Sequence, residues 1–290
     1  MRIECQSPCK VNFLLNILGK RPDGFHDLET VFHPVPLFDL LELERGGEGI
    51  RLTCNHPELP TDRGNLVFRA AEAFLAAAKI SEGVSLRLEK RVPLAAGLGG
   101  GSSNAAHTLS GLNELFGQPL GLEELNRLAA ELGSDVPFFL QNQPALGVGR
   151  GEVIRSLPPF ERLRGAWILL IHPGFGISTA WAYQQLARFP EALNGVPGRA
   201  MRLIEALRAG GLDRAKTEFY NSLEAPALYK YPVLEVIQEF LREAGADIAL
   251  MSGSGSTTFA LIRDQPLAET VLEKFKGEFG PTYWTALAPL

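Results

Sequence analysis

The sequence predicts an α+β protein of two domains. Its 290 residues exceed the usual size of one domain, and 46% hydrophobic with 21% charged residues is ordinary for a chain with a sizeable core. The first half mixes strand and helix patterns, whereas the second half follows the order strand, helices, strand, strand, helix, strand. A proline pair at 158–159 and a charged stretch at 161–164 separate the halves. We therefore expect domains at residues 1–158 and 159–290.

In the first domain, apolar or alternating segments predict four strands, at residues 11–18, 41–44, 50–54 and 84–88. A helix is predicted at 66–78 with Asn65 as its N-cap, and another at 122–132 that ends at Gly133. A further helix is indicated by apolar residues at helical spacing, namely Ala105, Leu109, Leu112 and Phe116. Ser103 or Asn104 is its expected N-cap.

In the second domain, strands are predicted at residues 166–172, 247–251, 257–262 and 283–287. A helix at 267–275 lies between the last two strands, and several helices follow the first. The resulting order βαββαβ is a ferredoxin-like arrangement with an enlarged first crossover.

Composition and charge exclude several classes of function. A net charge of −5 and a pI near 5.7 argue against binding to nucleic acid or to an anionic membrane. The longest apolar runs, such as 166–171, are too short to span a bilayer. Cys5, Cys9 and Cys54 have no metal-ligand spacing, which indicates reduced thiols. We expect a cytoplasmic protein without a nucleic-acid or membrane partner.

The segment Pro-Leu-Ala-Ala-Gly-Leu-Gly-Gly-Gly-Ser-Ser-Asn at 93–104 has the pattern of a phosphate cradle. Glycines let backbone N–H groups turn toward an anion, and the helix that follows adds its positive N-terminal end. The segment is not a P-loop, because no lysine occurs between Lys90 and Lys216. The segment is also not a dinucleotide-binding fingerprint. That motif would need glycine at position 102, which is serine, and an acidic residue near position 118, which is glutamine. A glycine-rich turn without a ligand is the alternative.

Three other features bear on phosphoryl transfer. A second glycine-rich loop at 251–256 is longer than a tight hairpin needs, so it either approaches a ligand or the first loop, or is a plain hairpin. Lys10 lies in an apolar strand and must find a partner or face a cleft, unless it lies at a sheet edge. Asp135 is a candidate for the carboxylate that such reactions use, or it stabilises the start of a short helix. Four histidines form no triad or metal pair and are interpreted as structural or exposed: His33, His56, His107 and His172.

Five segments in chain order resemble motifs of the GHMP kinase superfamily, at residues 7–14, 19–26, 93–103, 133–139 and 251–255. The resemblance covers nearly the whole chain. It implies an N-terminal domain like ribosomal protein S5 and a C-terminal ferredoxin-like domain. Arg-Pro-Asp-Gly-Phe-His at 21–26 is typical of the branch that acts on a cytidyl diphosphate substrate in non-mevalonate isoprenoid biosynthesis.

The resemblance implies transfer of the γ-phosphoryl group of ATP to a hydroxyl of that small molecule. Asp135 would accept the hydroxyl proton, and Lys10 would orient the Asp135 carboxylate and stabilise developing charge. ATP would be held by Asn65 and by the first loop, namely Pro93, Leu94, Ala95, Ala96, Gly97, Leu98, Gly99, Gly100, Gly101, Ser102 and Ser103. Mg²⁺ would arrive with ATP, and no protein ligand is assigned to it. Asn65 as a helix cap is the alternative to its role at the nucleotide.

The substrate would contact four residues: Asn12, Phe25, His26 and Tyr183. Phe25 and His26 would hold the cytosine, and Tyr183 would stack on its other face; a core aromatic is the alternative for Tyr183. In one departure, Asn104 stands where the family usually has aspartate, which removes a charge near the cradle. Other readings are a related kinase acting on homoserine or mevalonate, a silent ATP or metabolite sensor, and an NAD-linked oxidoreductase, whose fingerprint fails at Ser102.

Overall fold

The computed structural model describes residues 1–290, which form two compact units whose segments interleave along the chain. The first unit contains Met1–Cys9, Leu37–Val92 and Gly99–Asn142. The second contains Lys10–Pro36, Pro93–Leu98 and Gln143–Leu290. The predicted domain boundary at residue 158 stays a prediction.

The strands are β1 (Arg2–Lys20), β2 (His26–Arg45), β3 (Ile50–Cys54), β4 (Val84–Glu89), β5 (Ala145–Gly149), β6 (Val153–Ser156), β7 (Trp167–His172), β8 (Tyr220–Asn221), β9 (Ile248–Met251), β10 (Thr258–Ile262) and β11 (Trp284–Pro289). The helices are α1 (Leu66–Ala78), α2 (Gly100–Leu115), α3 (Leu122–Leu132), α4 (Thr179–Gln185), α5 (Pro190–Leu193), α6 (Arg199–Ala215), α7 (Glu224–Lys230), α8 (Val233–Glu243) and α9 (Gln265–Phe279). Short 3₁₀ turns lie at Pro137–Leu140, Glu161–Leu163 and Leu186–Arg188. None of the helices combines the length and the apolar composition that crossing a bilayer requires.

In the first unit, β3 pairs in parallel with β4, and β4 pairs antiparallel with the C-terminal part of β2. Leu43 of β2 and Leu52 of β3 both lie opposite Leu86 of β4, and all three are buried, so one face of this sheet is apolar. Helices α1, α2 and α3 pack against one another. The predicted helices at 66–78 and 122–132 are confirmed.

In the second unit, β1 pairs in parallel with β8, and β2 pairs antiparallel with β5. A separate four-stranded antiparallel sheet has the order β11-β7-β10-β9. Buried side chains of α8, α9 and this sheet form one core, among them Ile171, Ile237, Leu241, Val271 and Phe275. The order matches the predicted ferredoxin-like arrangement, and α4 to α8 fill the enlarged first crossover.

The start of α2 differs from the prediction. Gly99 occupies the N-cap position and the helix begins at Gly100, so Ser103 and Asn104 lie inside it and not at its cap. Both side chains are buried and hydrogen-bonded to neighbours distant in sequence. Such contacts override the low helix propensity of the two glycines in the first turn. Strands β1 and β2 are also longer than the segments predicted at 11–18 and 41–44.

Candidate active site

Helix α2 has an N-terminus that no side chain caps. Gly99 has φ 68°, a left-handed conformation that favours glycine, and the first turn contains no acidic residue. In contrast, Asn65 Oδ1 accepts a hydrogen bond of 3.0 Å from the N–H of Val67 at the start of α1. The first N–H groups of a helix have no partner within it. Those of α2 can therefore receive an anion such as phosphate, as the glycine pattern predicts.

A buried ion pair lies beside this first turn of α2. Lys90 Nζ donates to Asp39 Oδ2, and the two side chains are 3% and 0% exposed. The other carboxylate oxygen of Asp39 accepts from the backbone N–H groups of Arg91 and Val92, at 2.8 and 2.9 Å. A Cβ on Gly100 would lie 3.1 Å from Lys90 Nζ, so the ammonium group packs directly against the helix backbone.

Asn104 connects α2 to the Asp39–Lys90 pair. Its Nδ2 donates to Asp39 Oδ2 at 3.0 Å and to Ser7 Oγ at 2.9 Å, and its Oδ1 accepts from Lys90 at 3.2 Å. The Ser7 hydroxyl donates in turn to Ser103 Oγ at 2.8 Å. Asn104 therefore anchors the buried side of the helix start. Neither Asp39 nor Lys90 is among the predicted site residues. A lone aspartate in the apolar run Leu-Phe-Asp-Leu-Leu at 37–41 does, however, indicate a buried carboxylate that needs a partner.

The part of the first loop at Pro93–Leu98 contacts the second glycine loop. Ser252 Oγ donates to the carbonyl oxygen of Gly97 at 2.9 Å. The N–H of Thr257 donates to the carbonyl oxygen of Ala96 at 3.2 Å. Gly97 has φ 77°, and a Cβ there would collide with the carbonyl of Ser252. The expected approach of the two loops is confirmed. The second loop also joins the antiparallel strands β9 and β10, so it is a hairpin loop that in addition contacts the first loop.

Two polar side chains that the sequence analysis missed hold the second loop. Asn221 Nδ2 donates to the carbonyl oxygens of Met251 and Gly253, both at 2.8 Å. Glu224 Oε1 accepts from the N–H of Met251 at 2.8 Å, and burial raises the pKa of Glu224 to about 7. Neither residue belongs to a recognisable sequence pattern.

Lys10 lies in β1 and is only 3% exposed, so it is not a lysine at a solvent-exposed sheet edge. Strand β8 pairs with β1 further along, at Leu14 and Leu15. Its Nζ donates to Asn12 Oδ1 at 2.5 Å and to the carbonyl oxygen of Gly97 at 3.4 Å, and it lies 5.4 Å from the ring centroid of Phe32. The N–H of Lys10 also donates to the carbonyl oxygen of Leu98 at 3.0 Å. The structure thus brings Lys10 and Asn12 together with the first glycine loop.

Asp135 belongs to the first unit and is half-buried in the turn between α3 and the 3₁₀ turn Pro137–Leu140. No side chain caps that 3₁₀ turn, so Asp135 does not act as its N-cap. The pairing of Asp135 with Lys10, a residue of the second unit, stays a prediction.

The aromatic residues predicted to hold cytosine all lie in the second unit. The rings of His26 and Tyr183 have centroids 5.1 Å apart at 39°, and Phe25 is 52% exposed with the Arg150 guanidinium 4.7 Å from its centroid. At this separation the rings of His26 and Tyr183 contact each other and leave no room for a base between them. Stacking of Tyr183 on the other face of cytosine stays a prediction. Tyr183 also packs against a buried core cluster. Their contact with substrate stays a prediction.

The protonation of His26 suits a base-recognition site. Burial, with a smaller contribution from the charge of Lys20, lowers the pKa of His26. The imidazole is therefore neutral at neutral pH and offers one donor and one acceptor. A neutral imidazole can therefore either donate to or accept from the polar edge of a pyrimidine base.

Comparisons with known proteins point to one family. The family model described as the GHMP kinases N terminal domain matches residues 65–143, and that described as GHMP kinases C terminal matches residues 200–282. A 4-diphosphocytidyl-2-C-methyl-D-erythritol kinase of Geobacter sp. (strain M21) is 38% identical over 282 residues, which cover 96% of this chain and 97% of that protein. The kinase of the same name from Synechococcus sp. (strain JA-3-3Ab) is 42% identical over 259 residues, which cover 87% and 82%.

A solved structure supports the same assignment. The crystal structure of a 4-(cytidine 5'-diphospho)-2C-methyl-D-erythritol kinase is 34% identical, with a TM-score of 0.81, and the match covers 99% of this chain and 100% of that one. The predicted two-domain α+β fold is confirmed, and the chain is a kinase that uses ATP, so the NAD-linked alternative is wrong. The chain belongs to the 4-diphosphocytidyl-2-C-methyl-D-erythritol kinase family of the GHMP kinases.

Proposed function

We propose that this kinase transfers the γ-phosphoryl group of ATP to the 2-hydroxyl of 4-diphosphocytidyl-2-C-methyl-D-erythritol, in non-mevalonate isoprenoid biosynthesis. The observation that carries phosphate binding is the uncapped N-terminus of α2 after a glycine loop. The cytidyl substrate is supported by the names of the relatives and by the segment at 21–26. A cytoplasmic location stays a prediction.

The ATP phosphates would lie against the N–H groups that open α2, with residues 93–98 completing the loop. Mg²⁺ would neutralise charge on the β- and γ-phosphates. No residue of the chain is assigned as a ligand of Mg²⁺. Half-buried Asp135 offers a carboxylate oxygen of the kind that Mg²⁺ accepts, but its proposed task is the hydroxyl proton.

Asp135 would take the proton of the 2-hydroxyl as that oxygen bonds to the γ-phosphorus and the bond from phosphorus to ADP breaks. Lys10 would hold the carboxylate in place and offset the negative charge that develops on the transferred group. Asn12 fixes the Lys10 ammonium through its amide oxygen. Such a mechanism consists largely of positioning and electrostatics.

The test of the substrate is release of ADP in a coupled assay with the cytidyl substrate, ATP and Mg²⁺, run beside homoserine and mevalonate. We expect turnover with the cytidyl substrate alone. Turnover with homoserine or mevalonate instead would assign the chain a different acceptor.

The test of the carboxylate is Asp135→Asn. We expect nucleotide binding to persist and kcat to fall by about 10²- to 10⁴-fold, the usual contribution of a positioned general base. Calorimetric titration with ATP is the control for an intact nucleotide site. Near-normal turnover would remove Asp135 from the mechanism.

A further inference from the structure

A chain of buried hydrogen bonds runs from Lys10 to the backbone of β1 through two side chains. Lys10 Nζ donates to Asn12 Oδ1 at 2.5 Å, and Asn12 Nδ2 donates to Thr30 Oγ1 at 2.8 Å. The Thr30 hydroxyl donates to the carbonyl oxygen of Leu14 at 2.5 Å. Lys10, Asn12 and Thr30 are 3%, 2% and 1% exposed, so water does not replace these partners.

The two ends of this chain fix the direction of every bond in it. A carbonyl oxygen only accepts, so the single hydrogen of the Thr30 hydroxyl is committed to Leu14. Thr30 Oγ1 is then an acceptor for its other side-chain neighbour, and it must receive the amide nitrogen of Asn12. An ammonium group only donates, which independently requires the amide oxygen of Asn12 to face Lys10.

We propose that Thr30 is a positioning residue for the reaction, because its hydroxyl, bonded to Leu14, holds the Asn12 amide whose oxygen accepts from Lys10. This inference rests on the proposed function. Thr30 lies in β2 opposite Gly147 of β5 and acts only through Asn12. Without the hydroxyl, Asn12 Nδ2 loses its acceptor, and the amide is less firmly held with its oxygen against the ammonium of Lys10.

Thr30→Val tests the proposal, because valine keeps the branched shape and removes only the hydroxyl. We expect kcat to fall by about 10- to 100-fold while KM for ATP stays within about two-fold, the split that marks loss of an interaction made in the transition state. Thr30→Ser restores the hydroxyl and removes only a methyl group. It should recover kcat to within about three-fold of the wild type, whereas a purely packing role predicts no such rescue.

A double-mutant cycle identifies Asn12 as the intermediary. In an Asn12→Ala background, Thr30→Val should change kcat by less than about two-fold, because residues that act through one another are not additive. An undiminished effect in that background would overturn the proposal. So would a Thr30→Val enzyme with wild-type kcat, or a serine variant as slow as the valine variant.

Folding and substrate identity are separated from this inference by two controls. Thermal melting and ATP titration show whether each variant is folded, and Thr30→Ala replaces the valine variant under the same criteria where valine does not fold. Unfolding of both variants would make the hydroxyl a structural group and overturn the proposal. A wild-type enzyme inactive on the cytidyl substrate contradicts the proposed function, whereas an active wild type with unaffected Thr30 variants contradicts only this inference.

Discussion

Helices α1 and α2 pack against each other in the first unit, yet their N-termini are built in opposite ways. The start of α1 is closed by Asn65, whose Oδ1 accepts from the N–H of Val67 and whose Nδ2 donates to the carbonyl oxygen of Pro60 at 2.9 Å. The start of α2 has glycine at the N-cap and no side-chain acceptor. Its anchors lie on the buried side, in Asn104 and the Asp39–Lys90 pair. At the start of α1, a backbone N–H group has a side-chain acceptor in Asn65. At the start of α2, no side chain accepts from the first N–H groups, which are therefore available to a ligand.

For the phosphate site proposed at the start of α2, this difference indicates how a helix N-terminus stays uncapped without loosening the fold. Two glycines in the first turn of α2 cost about 1 kcal/mol each relative to alanine, and the missing cap costs about 1 kcal/mol more. The buried network of Asn104, Asp39 and Lys90 beside the first turn offsets that cost. A helix start that lacks a cap but is tied down by buried side chains is therefore the expected form of an anion site.

The largest effect is expected from removing the carboxylate that pairs with Lys90. Asp39→Ala leaves a buried ammonium group unpaired and should lower the free energy of unfolding by about 3 to 5 kcal/mol. Chemical denaturation measures this change. Glu89→Ala is the matched control, because its ion pair with Arg91 is 39% and 53% exposed and should contribute less than about 1 kcal/mol. Equal, small losses in both variants would mean that the network does not anchor α2.

Placing an acidic side chain at the start of α2 should affect stability less but should clearly weaken nucleotide binding. Gly101 is exposed, and a Cβ there would meet only Leu66 Cδ1 at 3.6 Å, an ordinary contact. Gly101→Asp places a carboxylate where phosphate would bind, so KM for ATP should rise about ten-fold or more, or about 1.4 kcal/mol, while the helix dipole keeps the fold stable.

Gly101→Ala is the control for the volume of the new side chain, and it should bind ATP more tightly than the aspartate variant. Gly100 is less suitable for this test, because a Cβ there approaches the buried Lys90. Steady-state kinetics at varied ATP, with melting temperatures, separate the two effects. Equal KM values for ATP in the aspartate and alanine variants would show that the N-terminus of α2 does not face phosphate.

The same contrast explains what the sequence could and could not predict. Helix α1 begins where Asn65 and the apolar spacing place it, because its cap and its core face are both local. The predicted start of α2 is wrong by several residues. Serine and asparagine are typical N-cap residues, but the side chains of Ser103 and Asn104 belong to a buried hydrogen-bond network inside the helix. Asp39 and Lys90 are 51 residues apart, and no local pattern pairs them.

Within the candidate site, too, some features can be predicted from the sequence and others cannot. Glycine loops are visible in a sequence because their composition is unusual over consecutive residues, and the approach of one loop to the other is among the alternatives that this composition predicts. Thr30, for which a positioning role is proposed, and Asn221, which holds the second glycine loop, are single polar residues in otherwise ordinary segments. Their roles depend on which partner the fold brings to them, so only the structure shows them.

The smallest effect is expected from opening the start of α1. Asn65→Ala removes the cap and should lower the free energy of unfolding by about 1 kcal/mol, a typical cost for such a cap. Because both polar atoms of the Asn65 amide are used within its own unit, we expect KM for ATP to change by less than about two-fold. Asn65→Asp is the control, since it keeps the oxygen that caps α1 and loses the donor to Pro60. Denaturation and ATP kinetics on the same preparations decide between the two roles of Asn65. A large rise in KM for ATP with unchanged stability would place Asn65 at the nucleotide and show that α1, like α2, offers its N-terminal end to the ligand.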